Sequence, residues 1–97
     1  MPIYVTLVRF TQQGIERIKE SPARFDAAKQ AGRALGVELK SWYLTMGQYD
    51  IVGVIEAPDD ETMAKVALAL GALGNFRTET MRAFSEDEYR AIVAALP

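Results

Sequence analysis

The chain has 97 residues and a net charge of only −2, from 11 basic and 13 acidic side chains. A second hydrophobic core would leave neither half enough buried surface, so we expect a single domain over residues 1–97. The pI of about 5.1 and the scattered arginines and lysines differ from the basic stripe of a nucleic-acid-binding protein. Nucleic acid is therefore not an expected partner.

Histidine and cysteine are both absent. Their absence excludes Ser-His-Asp and Cys-His catalysis within the chain, histidine ligation of haem and the usual zinc sites. The start, MPIYVTLVRF, lacks the basic and long apolar regions of a signal peptide. No apolar run approaches the ~20 residues that span a bilayer. We expect a cytoplasmic protein without cofactor, metal or membrane contact.

The first half begins with a strand and continues with helix. Residues 3–10, IYVTLVRF, are β-branched and aromatic, as in a central strand with both faces covered. Residues 12–20 and 21–35 predict two helical segments. Ser21 is expected to cap the second segment, with proline at its first helical position, and Gly36 is expected to end it.

Two strand-like runs follow, residues 37–46 and 49–57, separated only by Gly47 and Gln48. A two-residue Gly-X loop is the signature of a type II′ hairpin turn. Pairing across this turn sets Thr45 opposite Asp50 and assigns the other side chains to two faces. One face carries Trp42, Leu44, Met46, Tyr49, Ile51 and Ile55, and the other carries Leu39, Tyr43, Val52 and Val54.

The second half predicts a helix, a strand and a terminal helix. Asp59 is a natural N-cap, and residues 59–61 are acidic, as is common in a helix's first turn; a hard cation on these carboxylates is the alternative. Residues 76–84 form a polar strand whose charge suits a sheet edge. Ser85 and Glu88 make a capping box.

The order β-α-β-β-α-β plus a terminal helix predicts an α+β, ferredoxin-like fold with a four-stranded antiparallel sheet. One layer of helices covers only one face of such a sheet, yet both faces of the first three strands carry large apolar side chains. We expect the second face to be covered by another copy of the chain, in a homodimer or higher homo-oligomer.

The chain resembles the GYD-domain proteins, named for a Gly-x-Tyr-Asp signature that here is GQYD at residues 47–50. The similarity also covers YVTLVRFT, SPAR, YLTMGQYD, APDD and GALGNFRTET. The resemblance implies the fold of the dimeric α/β-barrel proteins, which include cofactor-free monooxygenases, muconolactone isomerases and ligand-sensing domains of transcriptional regulators. It implies no established activity, because a fold shared by such different proteins does not define a function.

The candidate site lies at the end of the sheet that carries the Gly-x-Tyr-Asp segment. Asp50 on a central strand requires partners, because an unpaired buried carboxylate is costly. It either accepts hydrogen bonds from Thr45, Arg9 or backbone amides and holds the hairpin, or acts as a catalytic base. In the functional interpretation, the polar lining of a small-molecule pocket between sheet and helices consists of Arg9, Arg24, Tyr43, Tyr49 and Asp50.

Three functions follow from these residues. The leading hypothesis is an oligomeric protein that binds a small anionic or aromatic molecule near the Gly-x-Tyr-Asp hairpin. The second is a cofactor-free monooxygenase or isomerase that uses Asp50 and the tyrosines, so whether the chain is an enzyme stays open. The third is a structural or regulatory assembly module.

Trp42, Phe10 and Phe25 are expected in the core, where aromatic residues at strand or helix spacing are most common.

Overall fold

The computed structural model describes all 97 residues. The strands are β1 (Ile3–Phe10), β2 (Glu38–Leu44), β3 (Ile51–Glu56) and β4 (Phe76–Ala83), and the helices are α1 (Gln12–Glu16), α2 (Ser21–Ala34), α3 (Asp60–Ala72) and α4 (Glu86–Ala94). A single turn of 3-10 helix, Ile18–Glu20, lies between α1 and α2. None of the helices combines the length and the apolar character needed to cross a bilayer.

The four strands form one antiparallel sheet in the order β2-β3-β1-β4. The central strand β1 therefore pairs with β3 on one side and with β4 on the other, while β2 and β4 are the edges. This order and the alternation of strands with helices confirm the predicted α+β, ferredoxin-like fold. The polar strand β4 lies at an edge, as its charge indicated.

The core lies between the sheet and helices α2 and α3. Alternate residues of β1 point toward these helices, and Tyr4, Thr6 and Val8 are buried there. The hydroxyl of Tyr4 donates a hydrogen bond to the carboxylate of Asp60 in the first turn of α3, and this bond raises the pKa of Tyr4. The buried apolar cluster consists of Tyr4, Val37, Ala57 and Met63.

The opposite face of the sheet has no helix on it. Its middle is an apolar band from inner positions of β1 and β3 and from β4, which we call the open face: Val5, Leu7, Val52, Val54 and Met81. Val5 pairs with Val54 and Leu7 with Val52 across the central strands. Met81 is 47% exposed. The sheet therefore presents an uncovered apolar surface.

The C-terminal helix α4 projects from the sheet, and every residue of it is exposed. One side of α4 is nevertheless apolar, because its apolar residues recur every three or four positions and therefore fall on one face of the helix. The exposed apolar side chains at this end of the chain are Tyr89, Ile92, Val93 and Leu96. Helix α4 thus presents a second uncovered apolar surface.

Helix α2 ends as the sequence predicts. The φ angle of Gly36 is +79°, which glycine adopts without strain. The N–H of Val37 donates to the carbonyl of Gly32 at 2.8 Å, and the N–H of Gly36 donates to that of Arg33 at 3.0 Å. These two bonds make a Schellman motif, which satisfies carbonyls that the end of a helix leaves unpaired.

The predicted N-caps of α3 and α4 are also confirmed. The Asp59 carboxylate accepts a hydrogen bond from the backbone N–H of Thr62 at 2.7 Å. Hydrogen bonds from the side chain and backbone of Thr62 hold the pKa of Asp59 below its usual value. Ser85 and Glu88 form the full capping box, and the hydrogen bonds from the backbone N–H and side chain of Ser85 lower the pKa of Glu88.

The start of α2 differs from the prediction. Ser21 is not an N-cap: its φ and ψ of −56° and −44° are helical, and it is the first residue of α2. The preceding 3-10 turn, Ile18–Glu20, already holds the chain in a helical conformation, and the N–H of Ser21 donates to the carbonyl of Ile18. The helix therefore begins without a capping side chain.

The hairpin has the predicted register but not the predicted turn. Tyr43 pairs with Val52 and Leu44 with Ile51, so Thr45 and Asp50 are opposite each other as expected. The strands stop at Leu44 and restart at Ile51, and the connection is a six-residue loop rather than a two-residue type II′ turn. Gly47 at its tip has a φ angle of +138°.

A β-bulge changes the predicted face of Leu39. The pairing of β2 with β3 is irregular between Leu39 and Ser41, and one extra residue in a strand reverses the direction of the side chains that follow or precede it. Leu39 consequently pairs with Ile55 and lies on the helix side together with Trp42. The prediction that Leu39 lies on the face opposite Trp42 was wrong.

Candidate functional site

The loop between β2 and β3 is held by Thr45. Its N–H donates to the carbonyl of Asp50 at 2.7 Å, and its hydroxyl donates to the carbonyl of Tyr49 at 2.6 Å. Both bonds join the two ends of the loop, so Tyr49 and Asp50 have defined positions although they lie outside the strands.

Asp50 extends the pairing of the two central strands. Its N–H donates to the carbonyl of Val8 at 2.8 Å, and its carboxylate Oδ2 accepts the N–H of Phe10 at 2.9 Å. Because β3 begins only at Ile51, the N–H of Phe10 has no strand carbonyl opposite it, and the side-chain oxygen of Asp50 is its acceptor instead. Of the partners considered for Asp50, the structure selects a backbone amide.

Tyr49 lies across the end of the open face. The guanidinium carbon of Arg9 is 4.8 Å from the centre of its ring, within the range of a cation–π interaction. The Tyr49 hydroxyl donates to Oε2 of Glu79 on β4 at 3.0 Å. The predicted placement of Tyr49 on the same face as Ile51 is therefore wrong, because the loop is not extended and strand alternation does not continue through it.

A polar groove of about 270 Å³ runs beside Tyr49. Arg9 of β1 and Arg77 of β4 are directly opposite each other in the sheet, and both line the groove together with Glu79. Neither arginine forms a salt bridge, since the ion pairs of the chain are Arg24–Glu20 and Arg90–Glu86. The groove therefore combines two unpaired guanidinium groups with one carboxylate, which is suited to binding an anion.

Two of the five predicted site residues lie elsewhere. Tyr43 is on β2, opposite Val52, and is 68% exposed, and it does not line the groove. Arg24 is on α2, where its Nη1 donates to the carbonyl of Arg17 at 3.1 Å and pairs with Glu20 at 3.6 Å. The structure brings Arg9, Tyr49 and Asp50 together and leaves Tyr43 and Arg24 apart from them.

The space between sheet and helices is apolar instead of polar. A cavity of about 90 Å³ lies there, lined mainly by hydrophobic residues of the sheet, α2 and α3. None of the five predicted residues is among its lining. The groove beside Tyr49 is on the other side of the sheet, so a polar pocket under the helices is not present at the predicted position.

Comparison with known proteins gives the family. The family model described as GYD domain matches residues 4–93, nearly the whole chain. The chain belongs to the GYD domain family. The signature segment of this GYD domain, Gly47 to Asp50, forms the end of the loop whose two last residues hold β1 and cross the open face.

Relatives of this GYD domain include a protein of Thermus thermophilus named glutamine synthetase and cystathionine beta-lyase binding protein. It is 34% identical over 84 residues, which cover 86% of this chain and 88% of the relative.

Among solved structures, the crystal structure of TTHA0845 from Thermus thermophilus matches with a TM-score of 0.55 and 25% identity, over 88% of this chain and 95% of that one. An FFRP protein matches with a TM-score of 0.60 and 16% identity, over 87% and 100% of the two chains. The latter likeness concerns the fold alone.

Two residues that line the groove in this GYD domain are not among the site residues predicted from the sequence. Arg77 and Glu79 alternate along β4 and were interpreted as charges that protect a sheet edge. Their spacing of two did place them on one face of that strand. That this face is the one crossed by Tyr49 depends on the path of a loop much earlier in the chain, and no local pattern contains that information.

Proposed function

We propose that this GYD domain is a self-associating protein-recognition module whose open face binds a second copy of the chain. The observation that carries the proposal is the uncovered apolar band in the middle of the sheet, with Val5, Leu7, Val52, Val54 and Met81. Contiguous exposed apolar surfaces of this kind mark protein interfaces. A two-fold contact between identical faces is the commonest way for a chain to cover one.

Helix α4 supports the same proposal. An isolated helix of nine residues is too short to be stable in water without packing. The apolar side of α4 is largely uncovered in its own chain, since Tyr89, Ile92 and Val93 are between 45% and 62% exposed. Burial against a second copy would stabilise the helix and cover its apolar side chains.

The name of the relative from Thermus thermophilus describes binding to glutamine synthetase and cystathionine beta-lyase. Recognition of other proteins by this GYD domain is therefore part of the proposal, and these two enzymes are the partners to test first. The open face is used by the second copy and the polar groove lies at its end, which leaves the outer helix surfaces for a different protein.

Self-association is tested by native mass spectrometry and sedimentation equilibrium at micromolar concentration. The wild type is expected to be a dimer or a higher oligomer. Val54→Lys places a charge in the middle of the open face and is expected to give a folded monomer, with its far-UV circular dichroism unchanged. Leu68→Lys is the matched control, because Leu68 is 75% exposed on α3, away from the open face. A monomeric wild type would refute the proposed self-association.

Recognition of another protein is tested separately by surface plasmon resonance. Glutamine synthetase and cystathionine beta-lyase from the organism that encodes this chain are purified and immobilised. Saturable binding of the wild type to either enzyme would support this part of the proposal. Binding to neither enzyme by a protein that does self-associate would remove protein recognition and leave an assembly module.

Binding of a small anion in the groove is a second candidate function, favoured by the unpaired arginines beside the Gly-x-Tyr-Asp loop. Like charges directly opposite each other in a sheet are destabilising, and an anion between Arg9 and Arg77 would remove that repulsion. Isothermal titration with phosphate and succinate tests this. Binding should be lost in Arg77→Gln and weakened in Tyr49→Phe, which no longer donates to Glu79. Arg33→Gln, on the surface of α2, is the control, and equal binding by all variants would contradict this function.

The enzyme hypothesis has less support from the geometry. A catalytic base needs a carboxylate oxygen directed at a substrate, whereas Oδ2 of Asp50 is directed at the backbone of β1. The arrangement favours the structural role of Asp50 at the end of the hairpin.

A further inference from the structure

We propose that the cavity between the sheet and helices α2 and α3, here called the helix-side cavity, binds a small aromatic carboxylate. This site is separate from the open face and from the groove at Tyr49, which lie on the other side of the sheet. The cavity has a volume of about 90 Å³ and is open on one side, so a small molecule can enter it from solvent.

Aromatic rings form a wall of the cavity. The rings of Phe25 and Trp42 are stacked, with centres 5.0 Å apart and planes 5° apart. Phe76 continues the row at 6.2 Å from Phe25 and 8°. All three rings line the cavity. Because stacking within the row covers the faces of Phe25, the ring edges are the surface available for edge-to-face contact with another aromatic ring.

Lys29 gives the cavity its charge. It is the sole charged residue of the lining, and its ammonium lies 6.0 Å from the centre of the Trp42 ring. Lys29 belongs to neither ion pair of the chain. Trp42 is 37% exposed, so solvent reaches this side of the cavity, and the carboxylate of a bound ring would lie here beside the ammonium. A charge-assisted hydrogen bond between the two is the expected contact.

Carboxylates are absent from the lining, so nothing there repels an anion. The remaining polar groups are the hydroxyls of Thr6, Thr78 and Thr80 on the sheet. Thr6 and Thr80 are hydrogen-bonded to each other at 3.1 Å, which leaves their surface compatible with an apolar ring. An apolar site with one convergent charged group is the usual composition of a small-ligand pocket.

The size of the cavity restricts the ligand. Apolar cavities of roughly 150 Å³ hold a benzene ring in other proteins. The smaller cavity in this chain is open on one side, so a single ring with its carboxylate outside fits, whereas a fused ring system does not. Phenylacetate and benzoate are therefore suitable probes.

Trp42 is the only tryptophan in the chain, so its fluorescence reports directly on the cavity. Phenylacetate is expected to quench it in a saturable way, and the neutral analogue phenylacetamide is expected to bind about tenfold more weakly because it lacks the charge. Absence of saturable quenching by both acids at millimolar concentration would overturn the proposal.

Two variants and one control variant separate the ring site from the charge. Lys29→Met should bind the acid and the amide equally, whereas Lys65→Met, a change of an exposed lysine on the same layer of helices, should keep the preference for the acid. Ala67→Leu, in the cavity wall, should abolish binding of both compounds and raise Tm by filling the void. Unchanged acid preference in Lys29→Met, or unchanged binding in Ala67→Leu with a native circular dichroism spectrum, would show that the ligand binds elsewhere.

The outcome is independent of the proposed self-association, because Val54 of the open face does not line the helix-side cavity. Phenylacetate should therefore bind Val54→Lys with the affinity of the wild type. A loss of binding in that folded monomer would contradict a site contained within one chain.

Discussion

Asp50 Oδ2 accepts the backbone N–H of Phe10 at 2.9 Å, across the two central strands of the sheet. This contact ties the last residue of the Gly-x-Tyr-Asp signature to the end of β1. It explains why an acid stands at the start of β3 without any reference to catalysis. The neighbouring bond, from the N–H of Asp50 to the carbonyl of Val8, joins the same two segments, so Asp50 holds this end of the sheet through both its backbone and its side chain.

Asp50→Ala is expected to lower the free energy of unfolding by about 1 to 3 kcal/mol, because the N–H of Phe10 loses a charged acceptor in a half-buried position. Asp50→Asn keeps an acceptor oxygen and should lose less. Urea unfolding measures both. Asp26→Ala, a change of an aspartate on α2, is the control and should leave stability within about 0.5 kcal/mol of the wild type. Equal stability of Asp50→Ala and the wild type would contradict the structural role.

Gly14 and Gly71 give a matched pair of glycine-to-alanine changes. A β-carbon on Gly14 would lie 1.9 Å from the carbonyl oxygen of Asn75, whereas one on Gly71 would meet nothing within 4 Å. Gly14→Ala should therefore destabilise the fold by about 1 to 3 kcal/mol or more. Gly71→Ala, inside α3, should stabilise it by about 0.5 to 1 kcal/mol. Thermal unfolding of both variants in one buffer is the test, and a stable Gly14→Ala would mean that α1 does not approach Asn75 so closely.

The N-cap of α3 predicts a pH dependence of stability. The hydrogen bonds from Thr62 lower the pKa of Asp59 from its ordinary value of 3.8, so the folded state binds this proton less tightly than the unfolded state. The stabilisation is complete above that ordinary value and is lost as the pH falls through the lower folded pKa. Asp59→Ala should thus reduce Tm by several degrees at pH 7 and by progressively less toward pH 3. A constant difference in Tm over that range would disprove the electrostatic contribution.

The uncovered side of α4 predicts a change in assembly without a change in fold. Ile92 is 47% exposed, so Ile92→Glu should leave the unfolding of the isolated chain nearly unchanged but weaken self-association by about tenfold or more if the helix packs on a second copy. Ala91→Glu, on the opposite side of the same helix, is the control. Sedimentation equilibrium of both variants decides, and identical dissociation constants would place α4 outside the interface.

Much of the fold could be predicted because it depends on contacts between residues close in the chain. The Schellman motif at Gly36 and the capping box of Ser85 and Glu88 involve backbone groups only a few positions apart, so the residue types alone indicate them. The β-branched and aromatic residues on both faces of β1 likewise predict a central strand, and the order of the elements predicts the sheet topology.

The candidate site could be predicted only in part. Proximity of Asp50 and Arg9 to the end of β1 follows from antiparallel pairing, and the structure brings both there. The position of Arg24 does not follow, because the 3-10 turn before α2 directs that side chain to Glu20 and the carbonyl of Arg17. Tyr43 is on the same face of the sheet but does not reach the groove, because its strand β2 is separated by β3 from β1 and β4.

The sequence by itself determined the elements and their order, together with the end of α2 and the starts of α3 and α4, since local backbone preferences and capping hydrogen bonds act over a few residues. Only the tertiary structure decided which face each site residue occupies. A β-bulge moved Leu39 to the helix side, and a six-residue loop carried Tyr49 to the open face, where it meets Glu79 from the far edge strand. Such placements depend on contacts between residues distant in the chain, which no periodic pattern records.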